Sequence, residues 1–231
     1  MLLLGCQASP RNSHILVTGG IEVAGDELLA VIAVMQASGE PCSGTIVGAG
    51  TILTAAHCAL DPEVTVFGRR PTRVIRGDDS GTAGATDLAI LVFEPSALGT
   101  VTPIAAAITA PVFGDRVSIV GFGRDSHSDS KPSFIKRRGE NYLSSVDELL
   151  LITTPSADQQ NPLRANIAGG DSGGPLLWHG MVSGVASGFT WGANGSAQGW
   201  FVNLSSDTSR AFLDKAQSQG ARITWNRSAD H

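Results

Sequence analysis

The sequence is poor in charged and aromatic residues. Asp, Glu, Lys and Arg make up 16% of its 231 residues and Phe, Trp and Tyr make up 6%, whereas glycine occurs 28 times. Low charge with abundant glycine is unusual for a cytosolic enzyme and favours short strands joined by many turns. The net charge of -5 is mild, so it argues only weakly against nucleic acid as a partner.

The sequence also lacks an apolar run long enough to span a bilayer. Its first residues, Met1-Leu2-Leu3-Leu4-Gly5-Cys6, resemble the end of a bacterial lipoprotein signal, in which the cysteine carries the lipid. The basic start and most of the apolar segment of such a signal are missing. We expect residues 1–16 to be a signal remnant, a propeptide or a tether, with Cys6 as the candidate lipid anchor. The alternative is a chance apolar start.

Cysteine is scarce, with three residues in the chain. Cys42 and Cys58 flank an apolar segment, and a disulfide between them would close a loop of about 17 residues and stabilise the fold by about 3 kcal/mol. Cys6 would then be the odd cysteine, as a lipid-bearing residue would be. Three free thiols in a reducing cytosol are the alternative that the cysteines alone leave open.

Ten short runs rich in Val, Ile, Leu and Thr recur between turn residues and predict strands. Helical periodicity is scarce before Ser205 or Ser206, the candidate caps of a helix that ends near Gly220. This pattern predicts an all-β sandwich or barrel with antiparallel strands rather than a βαβ fold. Residues 101–113 are the predicted crossover between two halves. Residues 124–141, with the basic run Lys136-Arg137-Arg138, are predicted to be a solvated surface loop.

The most informative motif is the run Gly170-Asp171-Ser172-Gly173-Gly174-Pro175. Small neighbours let a substrate carbonyl approach the serine, and nearby backbone N–H groups can face the oxygen on which negative charge develops. The run also fits the Gly-x-Ser-x-Gly elbow of α/β-hydrolases, which needs an acid and then a histidine downstream. Only His179 and His231 follow Ser172, and alternating helices are absent, so the elbow is disfavoured.

A histidine and an aspartate precede the serine, each in its own motif. Thr54-Ala55-Ala56-His57-Cys58 ends a predicted strand with a histidine, and Thr86-Asp87-Leu88 places an aspartate directly before another. With Cys42 fifteen residues before His57 and a Gly-Phe-Gly run at 121–123, residues 17–220 resemble the chymotrypsin family of trypsin-like serine endopeptidases. The resemblance implies two packed antiparallel Greek-key β-barrels, over residues 17–108 and 109–231, with a C-terminal α-helix.

The resemblance also assigns the catalytic roles. Ser172 would be the nucleophile, His57 the general base and Asp87 the residue that orients the imidazole, with the backbone N–H groups of Gly170 and Ser172 as the oxyanion hole. It favours the disulfide between Cys42 and Cys58. It implies protein or peptide substrates and no cofactor, and the remaining histidines lack metal-ligand spacing.

The resemblance also implies a cellular localisation. We expect a bacterial enzyme that is secreted or attached to the cell envelope. The alternative is a catalytically inactive relative that acts as a binding module, although such relatives normally lose a triad residue and this chain has all three.

Two further assignments follow from the family pattern. The run Val17-Thr18-Gly19-Gly20 resembles the family's mature start, whose freed amino group would pair with Asp171, although Thr18 departs from the pattern. An unprocessed tether is the alternative, with Asp171 bound by local backbone N–H groups.

The substrate pocket is expected to contain Asn166 at its floor, Ser187 beside the triad and Gly199 in its wall. A neutral floor disfavours Lys and Arg and predicts a preference for a small or medium apolar residue.

Overall fold

The computed structural model describes residues 20–124, 134–156, 163–191 and 197–226. Within these ranges the chain forms twelve strands and one α-helix. They are β1 (Ile21–Glu22), β2 (Val31–Met35), β3 (Pro41–Gly48), β4 (Thr51–Thr54), β5 (Arg73–Arg76), β6 (Ala89–Val92), β7 (Arg116–Gly121), β8 (Arg137–Val146), β9 (Leu150–Thr153), β10 (Pro175–Trp178), β11 (Met181–Trp191), β12 (Ala197–Asn203) and α1 (Asp207–Ser218).

The first half of the chain forms a five-stranded sheet in the order β2-β3-β4-β6-β5, and its strands pair antiparallel. Its β-branched and leucine side chains give each strand a buried face, because successive residues alternate between the two sides of a sheet. Its core includes Val34, Ile46, Ile52 and Leu91, each at most 2% exposed.

The second half forms a closed barrel. The strands follow the order β8-β7-β10-β11-β12-β9, and β9 pairs again with β8, so six strands complete the ring. Ile119, Leu151, Leu176 and Phe201 fill its interior. The short strand β1 joins the outside of this barrel by pairing with β8, although it belongs to the first half of the sequence. The predicted all-β class is therefore confirmed.

The C-terminal helix begins where the sequence predicts. Ser206 caps it, since its side chain accepts a hydrogen bond from the backbone N–H of Ser209. Phe212, Leu213 and Ala216 form its buried face and pack against residues of both halves. No helix in the described ranges is long and apolar enough to cross a membrane.

The segment at 124–141 differs from the prediction of a surface loop. Residues 137–141 are the first half of β8, and Arg137 is only 2% exposed. The interpretation of the basic run as a solvated loop is therefore wrong for Arg137. Its side chain lies on the inward face of β8, while the next residue, Arg138, lies on the outward face. Because successive side chains of a strand point to opposite faces, these two adjacent arginines have different environments, which composition alone does not predict.

The connection at 101–113 contacts both halves. The backbone N–H of Ile104 bonds to the carbonyl of Ile46 in the sheet, and that of Ala107 bonds to Val182 in the barrel. The candidate active-site residues come from both halves, since His57 and Asp87 belong to the first half and Ser187 of the second half contacts Asp87. The predicted boundaries of the two halves remain a prediction.

Candidate active site

His57 and Asp87 lie in direct contact at one edge of the five-stranded sheet. His57 follows β4, Asp87 precedes β6, and these strands pair antiparallel with Thr54 opposite Ala89. The imidazole Nδ1 lies 2.8 Å from Asp87 Oδ2, and the backbone N–H of His57 donates to Oδ1 at 2.9 Å. The carboxylate therefore fixes both the backbone and the ring of the histidine. The Asp87 side chain is 1% exposed and that of His57 23%, so the ring remains accessible to solvent.

Ser187 holds the same carboxylate from the other half of the chain. Its hydroxyl donates to Asp87 Oδ2 at 2.6 Å and accepts the backbone N–H of Gly84 at 2.9 Å. Ser187 lies at a bulge in β11, where the pairing with β12 skips from Ala186 to Gly188. A bulge turns a side chain away from the regular alternation of its strand. At this irregularity, the side chain of Ser187 in the barrel forms a hydrogen bond with Asp87 of the other half.

Ser172 lies on a tight loop that leads into β10, and its carbonyl contacts β3 and the turn that contains His57. Its carbonyl oxygen accepts the N–H of Ser43 at 2.7 Å and lies 3.6 Å from Cys58 Sγ. A Cβ on Gly173 would come within 2.1 Å of Thr54 Oγ1, so only glycine allows this approach. Within the described ranges, the Ser172 hydroxyl has no hydrogen bond to the His57 ring.

The two candidate oxyanion donors differ from their neighbours in the same loop. The N–H groups of Asp171, Gly173 and Gly174 all donate to backbone carbonyls. In the part of the chain that the structure describes, those of Gly170 and Ser172 have no intramolecular acceptor. Gly170 has φ +100°, a conformation that glycine adopts without strain. The loop thus leaves two donors available close to Ser172.

The Asp171 side chain lies inside the protein and is fully buried. Oδ1 accepts the N–H of Gly123 at 2.8 Å, and Oδ2 accepts that of Ala168 at 2.9 Å. A Cβ on either Gly121 or Gly123 would overlap the carboxylate. Burial raises the pKa of Asp171 to about 6, against the opposing effects of the two backbone hydrogen bonds and the nearby Arg137 charge.

Two predicted residues lie outside the described ranges. Val17, the predicted partner of Asp171, and Cys6, the predicted lipidation site, both precede residue 20. Asp171 has the backbone contacts that the sequence suggested for an unprocessed chain. The pairing with Val17 and the lipid anchor remain predictions.

The predicted pocket residues Asn166 and Gly199 are brought together. Asn166 is fully buried, accepts the Thr153 hydroxyl at 3.0 Å and donates to the carbonyl of Ala197 at 2.6 Å. A Cβ on Gly199 would lie 2.1 Å from Asn166 Oδ1, so the glycine makes room for the amide. The third predicted residue, Ser187, bonds to Asp87 as described above.

Cys42 and Cys58 form a disulfide, with their Cα atoms 6.0 Å apart. The sulfur atoms and a His57 ring nitrogen lie within 4.8 Å of one another, a grouping that could hold a metal ion if both thiols were free. Because the sulfurs are bonded to each other, they do not provide thiolate ligands. The bond joins β3 directly to the turn that contains His57.

Sequence reasoning missed two residues near the loop of Ser172. Ser43 contacts this loop through both its backbone and its hydroxyl, and Arg137 acts electrostatically on Asp171. Ser43 lies more than 120 residues from its loop partners, so no local motif indicates it. The alternation of buried and exposed residues in β8 could have indicated Arg137, had the strand been recognised.

The chain is similar to known proteins over most of its length. The family model described as trypsin matches residues 17–209. The venom plasminogen activator Haly-PA of Gloydius brevicauda is 24% identical over 86% of this chain and 85% of the relative. Trypsin eta of Drosophila erecta is 25% identical over 83% and 86%, respectively. These relatives come from animals, and the predicted bacterial source remains a prediction.

Solved structures share the fold at low sequence identity. Neuropsin from mouse brain superposes with a TM-score of 0.65 at 19% identity, covering 86% of this chain and 98% of that one. Human heparin binding protein gives a TM-score of 0.67 at 19% identity, with 89% and 99% covered. The family match extends over both halves of the site. The chain therefore belongs to the trypsin family, the chymotrypsin-like serine-type endopeptidases.

Proposed function

We propose that this protein hydrolyses peptide bonds in protein or peptide substrates through an acyl-enzyme on Ser172, with His57 and Asp87 completing the triad. Ser172 Oγ attacks the substrate carbonyl carbon while His57 Nε2 accepts the hydroxyl proton. The same proton then passes to the leaving amine as the scissile bond breaks. A water molecule, activated in turn by His57, hydrolyses the acyl-enzyme and releases Ser172.

The contact between His57 and Asp87 is the observation that carries this proposal. A carboxylate that accepts a hydrogen bond at Nδ1 selects the tautomer whose Nε2 is free to take a proton. It also stabilises the imidazolium that forms during the attack. Burial of Asp87 strengthens this interaction, because the local dielectric constant is lower than that of water. The Ser187 hydroxyl also donates to Asp87 Oδ2, the same oxygen that contacts the His57 ring.

The N–H groups of Gly170 and Ser172 are suited to the next step. Negative charge develops on the carbonyl oxygen as the tetrahedral intermediate forms, and two unengaged donors close to the nucleophile can bind it. A single donor of this kind contributes about 10²–10³ in rate in serine proteases where it was tested. The fixed backbone of the loop keeps the donors in place during the reaction.

The pocket residues support a substrate preference. The Asn166 amide is neutral and already hydrogen-bonded, so the proposed pocket floor offers no carboxylate to a lysine or arginine side chain. Without a partner, such a cation would lose its hydration on entering the pocket. We therefore expect cleavage after small or medium apolar residues.

The disulfide supports action outside the reducing cytosol, because such bonds form and persist in oxidising compartments. The attachment of the protein to an envelope through Cys6 stays part of the proposal, to be tested by mass spectrometry of the mature amino terminus. A diacylglycerol mass on Cys6 would support the anchor. An intact amino terminus without added mass on fully active enzyme would contradict both the anchor and the need for cleavage before Val17.

A fluorophosphonate probe tests the triad. The wild-type protein should be labelled and should hydrolyse a peptide library with little preference for Lys or Arg. Labelling should disappear in Ser172→Ala and fall steeply in His57→Ala, while Ser206→Ala, a buried serine of the terminal helix, should label normally. Absence of labelling in a correctly folded and processed wild-type protein would support the alternative, an inactive relative that binds its targets.

A further inference from the structure

Ser43 connects the two halves of the protein at the loop of Ser172. It lies in β3 of the five-stranded sheet, next to the disulfide cysteine Cys42, and is fully buried. Its carbonyl accepts the hydroxyl of Thr54 at 2.8 Å, which joins it to the strand that leads to His57. Within the described ranges, three further hydrogen bonds of Ser43 cross to residues of the second half.

These three bonds fix the loop at separate points. The Ser43 N–H donates to the carbonyl of Ser172 at 2.7 Å. The Ser43 hydroxyl donates to the carbonyl of Gly170 at 2.9 Å and accepts the N–H of Phe122 at 3.0 Å. The hydroxyl therefore uses its donor and an acceptor position together, a combination that an aliphatic side chain cannot provide.

The orientation of the Gly170 carbonyl bears on catalysis. The Gly170 carbonyl belongs to the peptide that follows one candidate oxyanion donor, and the Ser172 carbonyl to the peptide that follows the other. Glycine at position 170 gives the backbone wide conformational freedom. A fixed carbonyl removes much of that freedom, so the hydroxyl can hold the adjacent N–H at the angle the intermediate requires.

We propose that Ser43 is a positioning residue for the oxyanion hole, whose hydroxyl holds Gly170 so that the N–H groups of Gly170 and Ser172 converge on one oxygen. This inference rests on the proposed function, because it assigns Ser43 a role in the same site. Ser43 itself does not contact the substrate. Its hydroxyl acts through the Gly170 carbonyl, and its backbone N–H acts through the Ser172 carbonyl.

The variant Ser43→Ala isolates the hydroxyl, because it retains the backbone N–H that bonds to Ser172. A control is Ser206→Ala, which also removes a buried hydroxyl bonded to backbone, but at the cap of the remote helix. We expect kcat of Ser43→Ala to fall about 10- to 100-fold with KM changed less than about threefold, as for an interaction made mainly in the transition state. Ser206→Ala should keep kcat within about twofold of wild type while its melting temperature falls.

A second measurement separates positioning from folding. A peptide aldehyde labelled with ¹³C at the carbonyl forms a hemiacetal with Ser172, and NMR follows the ionisation of its hydroxyl. In wild type the two donors stabilise the anion and lower the pKa of that hydroxyl. In Ser43→Ala this pKa should rise by about one unit for each tenfold loss of kcat. A merely structural hydroxyl would leave it unchanged.

The outcomes distinguish this inference from the proposed function. Loss of kcat together with a higher hemiacetal pKa supports the positioning role. Equal kcat and equal hemiacetal pKa in Ser43→Ala and wild type would overturn it, even if the melting temperature falls. If wild-type protein neither hydrolyses peptides nor binds the aldehyde, the proposed function has failed and the inference falls with it.

Discussion

Two buried aspartates lie close to the candidate nucleophile, and they are held in different ways. Asp87 accepts hydrogen bonds from the His57 ring, the His57 backbone and the Ser187 hydroxyl. Within the part of the chain that the structure describes, Asp171 accepts hydrogen bonds from two backbone N–H groups, and the charge of Arg137 lies nearby. The Asp87 carboxylate faces an imidazole ring that can gain a positive charge, whereas the Asp171 carboxylate faces the fixed dipoles of two backbone N–H groups. Under the proposed function the Asp87 carboxylate supports a proton transfer, whereas the contacts of Asp171 hold the shape of its loop.

The largest expected effect is on the Asp87 side. Asp87→Asn would present an amide to Nδ1 and favour the wrong tautomer of His57, so kcat should fall by about four orders of magnitude, as the same change does in a related protease. Stability should change far less. Asp147→Asn, at an exposed turn, is the matched control and should retain activity. A kcat within tenfold of wild type would contradict the role of Asp87.

The next effect concerns Asp171 and pH. Its pKa is raised from 3.8 to about 6, so the folded protein holds this proton over a range in which the unfolded chain has lost it. As pH rises from about 4 to 6, the free energy of unfolding should therefore fall, and Asp171 should account for about 3 kcal/mol of this fall. Denaturant titration at successive pH values should show that Asp171→Asn lacks this contribution.

Arg137→Met sharpens the same measurement. Loss of the nearby positive charge should raise the pKa of Asp171 further, because that charge favours the carboxylate. The fall in stability would then extend to higher pH than in wild type. The neighbouring Arg138→Met, on the outward face of β8, is the control and should leave the pH range unchanged. Identical pH profiles for the two variants would argue against an interaction between Arg137 and Asp171.

The smallest expected effect tests how closely the backbone surrounds Asp171. A Cβ on Gly123 would lie within 2.6 Å of all three atoms of the carboxylate, so Gly123→Ala should destabilise the fold by about 2 kcal/mol through overpacking. In Gly169→Ala the nearest atom, Arg124 Nε, lies 3.5 Å away, an ordinary contact. Equal unfolding midpoints for the two variants would show that the loop relaxes more easily than its packing indicates.

The sequence predicts the parts of the site that are local motifs. His57 and Asp87 each stand beside a recognisable strand, and the pairing of those strands brings the two residues together. Ser206 is a standard helix cap, and it does begin the helix. In each of these cases a few neighbouring residues are enough to predict the local structure.

The sequence did not indicate contacts that arise only when distant segments pack. The hydroxyl of Ser43 meets Gly170 across 127 positions, and the bulge that turns Ser187 toward Asp87 depends on the register of two strands. The polar stretch around Arg137 predicts a solvent-exposed side chain, because basic residues usually lie at the surface. The burial of Arg137 follows from its place on the inward face of β8, opposite Gly121 of β7. The partner of Asp171 at Val17 remains a prediction.

The disulfide between Cys42 and Cys58 joins two positions that the site depends on. Cys42 immediately precedes Ser43, and Cys58 immediately follows His57. Breaking this one bond would therefore loosen His57, the proposed general base, and the support of the Ser172 loop together. A chain that still has reduced thiols should be a poor protease. Export into an oxidising compartment would then act as a safeguard, since proteolytic competence would arise only after the protein has left the cytosol whose proteins it could damage.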